Sequence, residues 1–140
     1  MDGALLMFLI AILIVGVLVF MAVSVTKKRG MIFDQEAYQT DFLQIENTLS
    51  KENQLSYNVV VISSDKLLDR AMCEMGVPGK NMGERLKKIG KDKFTQLNSV
   101  WYVHKLRNQI AHEHGFTLDY HQARRALATY KQALKDLGAI

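Results

Sequence analysis

VVVISSDKLLDRAMCEM, residues 59–75, decides whether this chain is all helical or mixed. It opens on Val59, Val60, Val61 and Ile62, a β-branched run that suits a buried strand as readily as a helix. Length settles the choice. Val60, Val61, Ser64, Leu67, Leu68, Ala71, Met72 and Met75 keep to one helical face for more than about four turns, with Lys66, Asp69, Arg70 and Glu74 outside it. Gly76 then supplies a left-handed cap, and Val77-Pro78-Gly79-Lys80, which holds the only proline, makes the turn.

Outward from this helix the same logic repeats. On the N-terminal side, Asp34 is placed to cap a helix whose apolar residues Tyr38, Phe42, Ile45 and Leu49 follow helical spacing. On the C-terminal side, Asn81 and Glu84 have capping-box spacing ahead of a short helix with Leu86 and Ile89, stopped at Gly90. A longer helix is predicted over about Thr95 to Glu113, burying Leu97, Val100, Trp101, Val103, Leu106 and Ile110, with Gly115 permitting a turn. Asp119 and Gln122 form a second capping box before the stripe Tyr120, Ala123, Leu127, Tyr130, Leu134 and Leu137. That stripe suits packing along a helix of the same bundle or pairing with a second copy.

Residues 4–25, ALLMFLIAILIVGVLVFMAVSV, carry no charge. As a helix they extend roughly 33 Å, against a hydrocarbon core of about 30 Å, so the predicted fold is all-α: one transmembrane helix and then a small four- to five-helix bundle. A cleaved signal peptide is the rival reading, through Ala22-Val23-Ser24. Asp2 ahead of the apolar run and Lys27-Lys28-Arg29 behind it favour an uncleaved anchor with the C-terminal part in the cytosol. The expected organisation is residues 1–3 as a short extracytoplasmic N-terminus, 4–25 as the span, 26–33 as a basic juxtamembrane linker and 34–138 as a cytoplasmic helical domain.

Of the 14 acidic residues one is Asp2, which leaves 13 against 18 Lys and Arg, a charge of about +5 that favours anionic partners such as RNA or lipid headgroups. Lys80, Arg85, Lys87, Lys88, Lys91 and Lys93 concentrate that charge and are expected to form an RNA-binding or anionic membrane-facing surface. A solvated face is the common meaning of such a run. Cys73 is the only cysteine, so no internal disulfide forms, and it is expected to pack as a small residue at the edge of its helix's apolar face.

The remaining segment is His104-Lys105-Leu106-Arg107-Asn108-Gln109-Ile110-Ala111-His112-Glu113. With His104 at zero and about 100° per residue, Arg107 falls near −60°, Asn108 near +40° and His112 near +80°, one polar arc of roughly 140° opposite Val103, Leu106 and Ile110. Arg offers a planar, permanent cation to a phosphate, and histidine is the side chain suited to moving a proton near neutral pH. Asn108 can orient either. No metal or other cofactor is expected: His112-Glu113-His114 does not converge on a helix, and no Gly-rich loop has P-loop spacing.

The stretch KLRNQIAHE, Lys105 to Glu113, resembles the signature of the HEPN (higher eukaryotes and prokaryotes nucleotide-binding) superfamily, an Arg and a polar residue followed by His after four to six intervening positions. Arg107-Asn108 leads to His112 with four between, and the likeness extends over the helix pattern from about residue 34 to 137. The resemblance implies a small helical bundle, often dimeric, and in many members a metal-independent ribonuclease whose Arg and His from two subunits meet in a shared cleft. Arg107 and His112 would then be catalytic and Asn108 supporting. Other members only bind or scaffold, so two expectations stand: a membrane-anchored ribonuclease acting on RNA, with a homodimer forming the cleft, or a non-catalytic module at the cytoplasmic membrane face that dimerises or docks a membrane-associated protein.

Overall fold

The computed structural model describes residues 3–28 and 33–140, and their regular secondary structure is all helix, with no strand among them. They fall into two compact units, residues 1–32 and 33–140. Met1, Asp2 and residues 29–32, which include part of the expected linker, lie outside the description.

The first unit is one helix, α1 (Gly3–Lys28), which continues past the predicted apolar span. Its stretch Gly3–Ala22 is long and apolar enough to cross a membrane, and none of it is buried within the protein. Phe8 and Phe20 are more than two-thirds exposed. A helix apolar on every side finds no water-compatible face, so it requires either a protein core or lipid around it.

The second unit is a bundle of α2 (Gln35–Thr48), α3 (Gln54–Glu74), α4 (Met82–Lys88), α5 (Leu97–His112) and α6 (Tyr120–Asp136), with a single 3₁₀ turn at Lys91–Lys93 between α4 and α5. The central element is α3, which packs against each of the other four. Its β-branched opening is helical, as length requires. Val60, Val61, Ser64, Leu67, Leu68, Ala71 and Met72 are buried and Met75 is half-buried. Leu68 has no exposed surface, so truncation to Ala would cost about 2–5 kcal/mol through lost contacts and a cavity.

Side-chain caps set most of the helix starts. The Asp34 carboxylate accepts from Ala37 N–H at 3.1 Å, and Asp119 and Gln122 complete the expected reciprocal box at 2.8 and 2.9 Å. The box expected at α4 forms only by half. Asn81 Oδ1 accepts from Glu84 N–H at 3.0 Å, but the Glu84 carboxylate reaches past Asn81 to Lys80 N–H at 2.9 Å. Glu84 thereby pins the turn after Gly76, whose φ of 77° is the left-handed cap the sequence calls for.

One expectation changes: Cys73 is exposed, because one residue beyond Met72 rotates it about 100° off the core direction. Of the two uses the α6 stripe suits, the structure shows the first: Ala123, Leu127, Tyr130 and Leu134 are buried within the bundle, where α6 packs against α3 and α5.

Candidate functional site

The motif helix α5 is continuous through His112, and its polar arc is graded rather than uniformly open. His112 is exposed, Asn108 half-buried, the Arg107 side chain 28% exposed and His104 buried. The expected arc of four open side chains is corrected at His104, and the reason is a partner on α3. Asp65, itself buried, lies with Oδ1 2.9 Å from His104 Nδ1 and accepts a hydrogen bond from Tyr130 Oη of α6 at 3.0 Å. A buried imidazole and a buried carboxylate are tolerable only when they satisfy each other in this way.

From Asp65 a chain of polar contacts runs outward to the motif. Arg107 Nη1 donates to Asn108 Oδ1 at 3.2 Å, which leaves Asn108 Nδ2 to face His104 Nε2 at 3.4 Å. With Nε2 accepting, the imidazole carries its hydrogen on Nδ1 and donates to Asp65. Arg107 closes the loop electrostatically: its Nε sits 3.6 Å from Asp65 Oδ2, within ion-pair range but too long for a hydrogen bond. The guanidinium is thus held from behind by a carboxylate and from the side by an amide. Burial pushes the Tyr130 phenol well above its ordinary range, and the charge of Asp65 and the hydrogen bond to it act in the same direction. The phenol therefore stays neutral as a donor.

Arg107, Asn108 and His112 open onto a recess of about 870 Å³ shared by α5, α4 and the turn before α4. The turn contributes Lys80 and Asn81, α4 contributes Gly83, Glu84 and Lys87, and α5 adds Trp101 and Lys105. On α3, Lys66 adds a further cation and Asp69 a carboxylate. Asp69 is neutralised by Arg85 at 2.8 Å. The balance of the wall is cationic. A Cβ added at Gly83 would lie 3.4 Å from His104 Nε2, in ordinary van der Waals contact, so α4 runs directly beside the network.

The basic stretch therefore divides. Lys80 and Lys87 face the recess with the motif. Lys88, Lys91 and Lys93 are exposed and do not line it. Arg85 departs from its expected role: its side chain is 12% exposed and committed to Asp69, because α4 turns it toward α3. Asp65, Tyr130, Lys105 and Trp101 belong to the site although the motif does not name them. Asp65 had a detectable signal. Val61, Asp65, Leu68 and Met72 follow core spacing of four, three and four, and a carboxylate in such a series demands a buried partner.

Comparison with protein-family models, curated proteins and solved structures finds no match to this chain.

Proposed function

We propose that this chain is a membrane-tethered HEPN-like domain that cuts RNA in the α4–α5 recess without a metal, with α1 in the bilayer and the bundle on the cytoplasmic side. The observation that carries the reading is the convergence of Arg107, Asn108 and His112 with Lys80 and Lys87 on one cationic recess. Lys27 and Lys28 close α1, and basic residues at that end of a span favour the cytosol.

Arg107 holds a non-bridging phosphate oxygen, since Asp65 and Asn108 fix its orientation before any ligand arrives. His112 moves the proton. The 2′-hydroxyl gives up its proton and attacks phosphorus, the P–O5′ bond breaks, and the departing 5′-oxygen takes a proton, leaving a 2′,3′-cyclic phosphate. Those two transfers occur on opposite sides of phosphorus and call for a base and an acid. One copy brings only His112 to the recess as an exposed imidazole, so a second copy facing the first would supply the other.

The test is cleavage of single-stranded RNA by the detergent-solubilised full chain in a chelator. His112→Ala should lower the rate at least a hundredfold with unchanged helical circular dichroism, and equal rates for both proteins would remove the proposal. A second reading, a module that binds phosphate without cutting, is favoured by the inward commitments of Arg107 to Asp65 and Asn108. It expects RNA binding that depends on salt and on Lys87, with no cleavage by either protein.

A further inference from the structure

Trp101 is the only tryptophan in the chain, and it lines a recess otherwise walled mainly by charged and polar groups. Along α5, Trp101, Lys105, Asn108 and His112 stand at successive spacings of four, three and four, within about 60° of one another, and so form one ridge along the recess. The indole is half-buried, resting on the hydrophobic core while also contributing to the wall. Its orientation is constrained by an edge contact with His104, ring centroids 6.2 Å apart at 71°, and His104 is itself anchored by Asp65. An aromatic surface in line with cations is the arrangement that single-stranded nucleic acids use, because every unpaired base has a face to stack while its backbone needs positive charge.

We infer that Trp101 is a base-stacking platform, so that the recess takes single-stranded RNA with an unpaired base against the indole. The inference rests on the reading of the recess as an RNA site but not on cleavage. Trp101 and His112 are eleven residues apart in sequence, roughly 16 Å along the axis, with Arg107 between them, so the stacked base lies several nucleotides from the His112 end of the ridge. At about 3.4 Å per stacked nucleotide, and more when extended, engaging both ends takes an oligomer of about three to five nucleotides. Duplex RNA offers no free base face.

Because Trp101 is the sole indole, its emission reports the contact directly. Full-length His112→Ala protein, which leaves bound RNA uncut, is held in micelles of a neutral, non-fluorescent detergent and titrated with an eight-nucleotide oligoadenylate, a dinucleotide, an RNA duplex, inorganic polyphosphate and anionic phosphatidylserine vesicles. Saturable quenching by the oligoadenylate, with little response to the other four, is expected. Trp101→Leu should weaken binding of fluorescein-labelled oligoadenylate roughly ten- to hundredfold, and Trp101→Phe should restore most of it. Equal quenching by polyphosphate, RNA binding without quenching, or a response confined to the anionic vesicles would each overturn the platform. Cleavage by the unsubstituted chain with unquenched Trp101 would remove this inference alone, whereas quenching without cleavage would remove the ribonuclease reading and leave the platform.

Discussion

The carboxylate of Asp65 lies 2.9 Å from His104 Nδ1, joining two buried side chains that are 39 positions apart in sequence. That contact ties the motif helix to the central helix and sets the imidazole tautomer on which Asn108, and through it Arg107, depends. Asp65→Ala would strand His104 Nδ1 and Tyr130 Oη without partners. The expected cost is about 3–5 kcal/mol, seen as a fall of well over 10 °C in Tm by circular dichroism, with Asp65→Asn less affected. A Tm equal to that of the unsubstituted chain would show that the network does not hold the fold.

Tyr130 gives the same network a pH signature. Its phenol is raised well above the ordinary value of 10.0 by burial first, and then by Asp65. The unfolded chain begins to lose this proton near pH 10 while the folded chain keeps it, so the unfolded state binds fewer protons there. The contribution is therefore complete below about pH 10 and is lost as pH rises toward the folded value. Tyr38 is raised as well, chiefly by burial, and adds to the loss. Tyr130→Phe should cost about 1–2 kcal/mol at pH 7 and flatten the decline in Tm between pH 9 and 11. An unchanged slope would contradict the assignment to Tyr130.

Substitutions in the basic stretch should separate by position. Lys80→Ala and Lys87→Ala are expected to weaken RNA binding and each to lower the dependence of log affinity on log salt by about one, with stability unchanged. Lys88, Lys91 and Lys93 should matter little. Arg85→Ala should instead lower Tm, because its guanidinium pairs with Asp69 and is largely covered. Anisotropy titrations at several salt concentrations check the five lysines and a thermal melt checks Arg85, and equal effects of Lys87 and Lys91 would refute the division.

The sequence foretold the helices well because their signals are local. Caps at Asp34 and Asp119, the turn at Gly76 and the α3 face all depend on residues a few positions apart. The network at Asp65 depends on contacts 39 and 65 positions apart, which periodicity along one helix cannot reveal. Even so, the wheel around α5 held a hint. Arg107 lies only about 40° from Val103 on that wheel, and it is the motif residue drawn inward to a carboxylate. Arg85 was misplaced for a related reason: a short helix with bases on several sides does not disclose which of them its neighbour will claim.

Two glycines near the recess should respond differently to Ala. At Gly79 an added Cβ would come within 2.9 Å of Arg85 backbone N, whereas at Gly76 it would meet open space and bear only the strain of φ +77°. Gly76→Ala should cost about 1 kcal/mol and Gly79→Ala about 2–3 kcal/mol. Gly79→Ala should also weaken RNA binding, because Lys80 follows it in the displaced turn. Thermal melts and RNA titrations of the two variants check the order, and a larger loss at Gly76 would reverse it.

The chemistry assigned to Arg107 and His112 leaves a mark on its products. Single-stranded RNA incubated with the full chain in a chelator, then analysed by mass spectrometry, should yield fragments ending in 2′,3′-cyclic phosphate and beginning with 5′-hydroxyl. Fragments carrying 3′-hydroxyl and 5′-phosphate ends, or RNA recovered intact, would contradict it.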